Sequence, residues 1–311
     1  MVVYSLKRVT IIIVKQLLLW YALLNKKEIV FMYNLKIGII ESIDDVLANG
    51  TRKLDEIGLS EIQLSCWNVP LCTLENANKI KEMFKDKYTI SGLWGGWIVG
   101  PTVWNFVEGP QTIGIVPETW RKERVEGLKK VIDFANILKV KTVTTHMGFM
   151  PENPSTKEYK DVLETIYELC LYANQYNIDF CFETGQETPT VILRTINDVK
   201  ARGLNNLKIN LDPANLLMYG KGNPMDAVDV FGQYVAGMHV KDGDYPTNGN
   251  DLGWEYKVGK GRVNFEYIIR KLHSFGYQGP LTIEREISGE EQKKDIKDTI
   301  KFLEDILAKI D

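Results

Sequence analysis

The sequence is poor in two residue types that often mark metal or redox sites. It has three histidines and four cysteines among 311 residues. No two cysteines form a C-x-x-C pair, and their scatter favours neither a disulfide framework nor a zinc site made of thiolates. Because free thiols are the rule in reducing compartments, we expect a cytoplasmic protein. The four are Cys66, Cys72, Cys170 and Cys181.

The sequence also lacks an excess of positive charge. It carries 38 Lys and Arg against 41 Asp and Glu, a formal net charge of −3. Proteins that bind nucleic acid through its phosphates usually have a basic surface, so we expect no nucleic-acid partner. The hydrophobic fraction of 44% and the charged fraction of 25% are those of an ordinary globular protein.

The basic, apolar N-terminal segment lacks a run long enough to cross a membrane. Its longest uncharged run, 16–25, falls short of the about 20 residues that a transmembrane helix needs. Lys15 interrupts the apolar stretch and no small-residue cleavage site follows, unlike a signal peptide. We expect residues 1–31 to be an extension outside the fold, one that an upstream start assignment would also explain. An interfacial membrane anchor is the alternative.

Residues 32–311 are expected to form one domain, because strand and helix patterns alternate along them. Strict alternation favours a parallel sheet, and eight strands in this length fit an α/β fold, the (β/α)8 TIM barrel, which takes about 250 residues. The strand candidates are 35–40, 61–67, 88–94, 141–147, 178–183, 207–212, 235–240 and 280–286. The clearest helix candidates are 42–58, 118–139, 156–176, 263–276 and 289–310.

The pattern leaves one alternative fold and contains one long connection. A doubly wound open sheet is the alternative fold, but it would usually carry a Gly-rich phosphate loop after the first strand, and "GIIESIDD" is not one. A long connection, 95–117, follows the third strand. In a barrel it would lie at the carboxyl rim, where active sites form, so it either covers the site or serves a subunit contact.

Polar residues end the last four strand candidates. Side chains alternate along a strand, and in these four the bulky apolar residues share one parity, which we expect to face the helices. The opposite parity then points to the barrel axis and ends in Glu183, Asp212, His239 and Glu284.

Three carboxylates that converge on one axis repel one another and resist burial. A divalent cation relieves both problems, and three oxygen ligands with one imidazole suit Mn²⁺, Mg²⁺, Co²⁺ or Zn²⁺. Taken singly, each acid could instead cap a helix or form a surface ion pair, and the histidine could be a core residue. Their matched parity on four consecutive strands favours one divalent metal ion.

The chain resembles a known superfamily through five ordered motifs. They are ETGQE (183–187), NLDPAN (210–215), HVKD (239–242), GKGRVNF (259–265) and IERE (283–286). Their order and spacing are similar to those of the xylose-isomerase-like TIM barrels, also known as the AP endonuclease 2-like family. The group includes sugar and sugar-phosphate isomerases and epimerases, inosose dehydratases and endonuclease IV. The resemblance implies that the four strand-end residues are metal ligands.

Among these chemistries the resemblance is best to the ketose 3-epimerases. Endonuclease IV binds three zinc ions through many histidines, which this chain lacks, and xylose isomerase proper uses two metals. In a 3-epimerase, Glu183 and Glu284 would exchange the C3 proton on opposite faces of a metal-stabilised enediolate. A dehydratase of inosose or dehydroshikimate type and a barrel that binds sugar without turnover are the alternatives.

Two positions depart from the 3-epimerase pattern. Asn215 stands where that branch has a histidine, and Tyr245 where it has an arginine. The expected partner is a small sugar or sugar phosphate, and homo-oligomerisation stays open. The candidate substrate-binding residues are Trp94, His146, Gln186, Glu187, Lys241 and Arg262.

Overall fold

In the computed structural model, which describes residues 35–310, eight parallel strands close into a barrel. Each barrel strand pairs with the next one along the chain, and the first pairs with the last. The barrel strands are β1 (Ile37–Ser42), β2 (Glu61–Cys66), β3 (Thr89–Gly95), β4 (Thr142–Thr145), β5 (Asp179–Glu183), β6 (Leu207–Leu211), β7 (Val235–Val240) and β10 (Leu281–Ile283). Two further strands, β8 (Asp242–Gly243) and β9 (Glu255–Tyr256), lie between β7 and β10 in the sequence. Within residues 35–310, β8 and β9 stand apart from the barrel as a short antiparallel pair. The TIM barrel and its eight strands are confirmed.

Helices surround the barrel. They are α1 (Ile43–Asn49), α2 (Arg52–Ile57), α3 (Leu74–Phe84), α4 (Gly109–Thr112), α5 (Glu118–Leu138), α6 (Lys157–Asn174), α7 (Pro189–Ala201), α8 (Pro213–Met218), α9 (Pro224–Phe231), α10 (Phe265–Ser274) and α11 (Gly289–Leu307). The prediction of a single helix over residues 42–58 is wrong, because two helices, α1 and α2, occupy this range. Gly50 ends α1 with a φ of 63°, a left-handed value that glycine adopts without strain.

The predicted alternation of side chains is present in the strands. Phe180 and Phe182 of β5 belong to the apolar core between sheet and helices. Residues of the other parity are buried and polar, as with Glu183, Asn210 and His239. The interior of the barrel is therefore polar toward its carboxyl end, and this is where the candidate site lies.

Two further expectations concern membranes and the N-terminus. Among residues 35–310, no helix combines the length and apolarity that crossing a bilayer requires. The extension predicted over 1–31 lies outside the described residues, so it stays a prediction.

The long connection after β3 is organised by a buried arginine. Arg124 of α5 donates hydrogen bonds to the carbonyl oxygens of Val99, Pro101, Thr112 and Gly114, at 2.6–3.2 Å. Its guanidinium also lies 4.9 Å from the ring centre of a tryptophan in the same connection. One side chain thus satisfies four carbonyls of a segment that has little secondary structure of its own.

We expect Arg124→Leu to release this connection. The substitution leaves four carbonyls without their donor, so unfolding free energy should fall by about 3 kcal/mol or more. Limited proteolysis should then cut between residues 96 and 117 faster than in the wild type. Arg52→Ala, which removes a side chain that is 72% exposed, is the control and should change stability by no more than about 0.5 kcal/mol. Wild-type stability and protease resistance in the Arg124 variant would contradict the role.

Candidate metal and substrate site

Four side chains from four neighbouring strands meet at the carboxyl end of the barrel. Glu183 ends β5, Asp212 follows β6, His239 lies near the end of β7 and Glu284 follows β10. One ligand atom from each lies within 4.8 Å of the others. The His239 Nδ1 atom is 2.9 Å from Glu183 Oε1, 2.8 Å from Glu284 Oε2 and 3.8 Å from Asp212 Oδ2.

Each of three side chains has one polar atom held by the protein and the other aimed at the shared centre. Asp212 Oδ1 accepts from the Asn215 backbone N–H at the start of α8, whereas Oδ2 faces His239. Glu183 Oε2 accepts from Asn210, whereas Oε1 faces His239. The His239 Nε2 atom contacts Gln63, whereas Nδ1 faces the carboxylates. Asp212 can therefore cap α8 and also bind a metal ion, because Oδ1 accepts the capping hydrogen bond and Oδ2 faces the shared centre.

The inward atoms fit a cation. Asp212 Oδ2, His239 Nδ1 and Glu284 Oε2 are buried and make no hydrogen bond of ordinary geometry with the described residues. Burial raises the pKa of Glu183 to about 7 and also raises that of Asp212. Burial would lower the pKa of His239, but the surrounding carboxylates outweigh it and raise that pKa. Without a metal ion, the cluster of four side chains therefore holds protons, and a divalent cation would displace them.

Lys241 supplies a fixed positive charge beside this group. Its Nζ lies 2.5 Å from Glu286 Oε1 and 3.6 Å from Glu284 Oε1, and it donates to Asn215 Oδ1 at 3.3 Å. Burial would raise the pKa of Glu284, but the charges of Lys241 and His239 outweigh it and lower that pKa. Glu284 is consequently the most readily ionised of the three carboxyl groups.

A cavity of about 380 Å³ adjoins the cluster and is lined by Glu183 and Glu284 of the four residues. Its floor includes Glu183, His146 and Glu284, and tryptophans form one wall. Trp67 stacks on Trp94 with ring centres 5.2 Å apart. Trp104, from the connection after β3, lies 5.2 Å from the His146 ring. The connection therefore contributes a wall of the cavity, as its predicted place at the rim suggests.

The candidate substrate-binding residues fall into three groups. Trp94, His146 and Lys241 line the cavity. Gln186 and Glu187 are buried at its side, next to Tyr219. Arg262 is exposed outside the lining and pairs with Asp244. A contact between Arg262 and a small substrate would need its side chain to leave that partner.

Several residues of the site carry weak sequence signals. Trp104 lies in a connection whose path no periodicity describes. Tyr219 lies just after α8 and shows no pattern. Glu286 shares the strand parity of Glu284, which could have indicated its position, and it forms the ion pair with Lys241. Gln63 and Asn210 have the inward parity of their strands, but their contact across the barrel depends on its closure.

Glu187 is a buried carboxyl group with no side-chain hydrogen-bond partner among residues 35–310. Neither of its oxygens makes a hydrogen bond within residues 35–310. Burial raises its pKa to about 8 from the usual 4.5. The folded protein therefore holds this proton through neutral pH, whereas the unfolded chain releases it near pH 4.5.

The stability that this protonated group contributes should be full below about pH 4.5 and should be lost as pH rises toward 8. Glu187→Gln is neutral throughout. Between pH 5 and 8 its unfolding free energy should rise relative to the wild type by about 1.4 kcal/mol per pH unit at most. Denaturant unfolding at fixed metal concentration measures this difference. The exposed Glu304→Gln change is the control, and parallel curves for the wild type and Glu187→Gln would refute the assignment.

Comparison with known sequences points to one family. A family model described as xylose isomerase-like TIM barrel matches residues 52–306. An uncharacterized protein of Methanocaldococcus jannaschii is 28% identical over 198 residues, which cover 60% of this chain and 62% of that protein. The match thus spans less than two thirds of that relative's length.

Solved structures agree in fold. A xylose isomerase domain protein from Planctomyces limnophilus is 29% identical with a TM-score of 0.79, covering 89% of this chain and 98% of that one. A D-tagatose 3-epimerase-like protein is 21% identical with a TM-score of 0.69 and the same coverage.

More distant structures share the fold alone, at 16–17% identity and TM-scores of 0.60–0.65. They are a barrel protein from Mycobacterium smegmatis in complex with magnesium, a D-psicose 3-epimerase and a probable 3-DHS dehydratase from Bacillus anthracis. Each covers 86–89% of this chain. Because the family model matches most of the sequence and the barrel agrees, the chain belongs to the xylose isomerase-like TIM barrel family.

Proposed function

We propose that the protein is a divalent-metal-dependent sugar isomerase or epimerase, and that ketose 3-epimerisation is the reaction its site fits best. The observation that carries this proposal is the pair Glu183 and Glu284. Both glutamates approach the same imidazole nitrogen from strands separated by β6 and β7, at the floor of a sugar-sized cavity. Two structures of the same fold support it, one named a D-psicose 3-epimerase and one named a D-tagatose 3-epimerase-like protein.

The residues that would hold the cation are Glu183, Asp212, His239 and Glu284. Their donor set of three carboxylates and one imidazole suits Mn²⁺, Mg²⁺, Co²⁺ or Zn²⁺. The magnesium complex of a barrel with the same fold is consistent with such a site. When bound, the cation supplies Lewis-acid stabilisation to the negative charge that develops on the substrate.

The protein's own groups would move the proton. A base on one face of the sugar carbon removes the proton, and an acid on the other face returns one, so that the configuration inverts. Glu183 and Glu284 are the two carboxyl groups with the burial and the placement for these roles. His146, which burial and the charge of Lys241 keep neutral by lowering its pKa to about 3, could hydrogen-bond a sugar hydroxyl.

The charges around the cavity favour a substrate without phosphate. Four carboxylates lie in or beside it: Glu183, Asp212, Glu284 and Glu286. Their charge exceeds that of one divalent cation and Lys241 together, and Lys241 is already engaged by Glu286. A phosphate dianion would meet net repulsion. The tryptophan wall instead suits the apolar C–H face of an uncharged sugar.

The test is solvent-proton exchange by Glu183→Gln and Glu284→Gln. Glutamine keeps the shape and one oxygen ligand but is not a base. With metal verified by elemental analysis, each variant should lose net epimerisation by a factor of at least about 100. One should still exchange the C3 proton of one epimer with D₂O, and the other variant that of the opposite epimer. Proton NMR on a panel of ketoses and ketose phosphates reads this out.

The control is Glu61→Gln, because Glu61 is a buried strand glutamate at the opposite end of the barrel. It should keep wild-type exchange. If one ligand variant is inactive toward both epimers and the other is nearly intact, the two-base mechanism is wrong. Exchange at C1 or C2 instead of C3 would indicate aldose–ketose isomerisation. A product lighter by one water would indicate the dehydratase alternative.

A further inference from the structure

A line of buried amides joins two of the proposed metal ligands beneath the site. The His239 Nε2 atom lies 2.6 Å from Gln63 Oε1. Gln63 Nε2 donates to Asn210 Oδ1 at 3.3 Å, and Asn210 Nδ2 donates to Glu183 Oε2 at 2.9 Å. All four side chains are at least 96% buried. The connection therefore runs through the barrel interior, out of contact with solvent.

The direction of this connection is fixed at one end. With a cation bound, Glu183 is an ionised carboxylate that can only accept, so the amide nitrogen of Asn210 must face it. The Asn210 oxygen then faces Gln63, which must present its own nitrogen there and its oxygen to His239. A carbonyl oxygen only accepts, so the His239 Nε2 atom must carry a hydrogen. In the neutral imidazole the lone pair is consequently on Nδ1, the atom that faces the three carboxylates.

Gly237 leaves room for Asn210, and Gly92 lies beside Gln63. Gly237 on β7 is paired with Asn210, and a Cβ there would lie 2.5 Å from Asn210 Oδ1. Gly92 on β3 is paired with Gln63, and a Cβ there would lie 2.6 Å from Thr142 Oγ1 and 3.6 Å from Gln63 Nε2. Larger residues at the first position would displace the asparagine. The asparagine therefore requires a residue without a Cβ at position 237, whereas the distance from Gly92 to Gln63 is that of an ordinary contact.

We infer that Gln63 and Asn210 are positioning residues for the metal ligands. Gln63 holds His239 in the tautomer that offers Nδ1 to a cation, and Asn210 holds Glu183 so that Oε1 points to the same place. The inference rests on the proposed ligand set. Groups that fix the remote nitrogen of a ligating histidine typically change metal affinity by about 10–100-fold when removed.

The first test is Mn²⁺ affinity, measured by competition with a fluorescent chelator. Gln63→Leu removes the acceptor for Nε2–H and should weaken Mn²⁺ binding by about 10–100-fold. Gln63→Glu keeps the acceptor for Nε2–H but loses the donor to Asn210 Oδ1, so it should weaken Mn²⁺ binding by less than about tenfold and by less than Gln63→Leu does. Equal losses in both variants, or none in Gln63→Leu, would overturn the inference.

Asn206→Ala is the matched control. Asn206 is a buried asparagine next to the start of the same strand as Asn210, and it donates to the carbonyl oxygens of Cys170 and Ile178. Its loss should lower stability without changing Mn²⁺ affinity. His239→Ala distinguishes a failure of the proposed ligand set from a failure of the positioning role of Gln63. If it loses Mn²⁺ while Gln63→Leu does not, the ligand set stands and the positioning role fails; if it keeps Mn²⁺, the ligand set itself fails.

A second measurement reads the tautomer in the wild-type protein itself and uses a variant only to assign the signal. The chain has only three histidines, so ¹⁵N-histidine labelling gives a simple spectrum of the Zn²⁺-loaded wild type. The His239 ring should show a protonated Nε2 and a metal-shifted Nδ1, assigned by the signal missing from His239→Ala. A protonated Nδ1 with the metal on Nε2 would overturn the inference.

Discussion

Carboxylates repel one another when they are buried together, and this barrel buries Glu183, Asp212 and, less deeply, Glu284 around a single imidazole. Without a cation the cluster keeps protons, with the pKa of Glu183 and His239 raised. With a divalent cation the same atoms become a ligand set. The hydrogen-bond donors and the lysine around this cluster offset part of its negative charge.

Each member of the cluster is fixed by a different part of the fold. The start of α8 holds Asp212, the interior amides hold Glu183 and His239, and Lys241 lies beside Glu284. The tryptophan wall comes from separate strands and from the connection that Arg124 orders. The proposed chemistry at the floor and the proposed substrate preference at the wall therefore depend on different elements, which could vary independently within one family.

Much of this arrangement could be predicted from the sequence. Strand length and alternation gave the eight strands, and parity brought four distant residues to one level, because parallel strands end at the same rim of a barrel. Local patterns could not predict two other features. Trp104 reaches the cavity through an irregular connection, and Gln63 meets Asn210 only because the barrel closes. The division of the first helix at Gly50 had a local signal, because a glycine commonly ends a helix. Arg262 lies in one of the motifs, but its side chain is exposed and pairs with Asp244. Sequence order does not show which partner a loop residue has.

The most direct test is a crystal structure of the protein grown with Zn²⁺, with diffraction data collected on both sides of the zinc absorption edge. We predict one strong anomalous peak per chain, within about 2.0–2.2 Å of Nδ1 of His239 and of oxygens from Glu183, Asp212 and Glu284. A fully loaded crystal with its zinc elsewhere, or with the imidazole bound through Nε2, would contradict the proposed site.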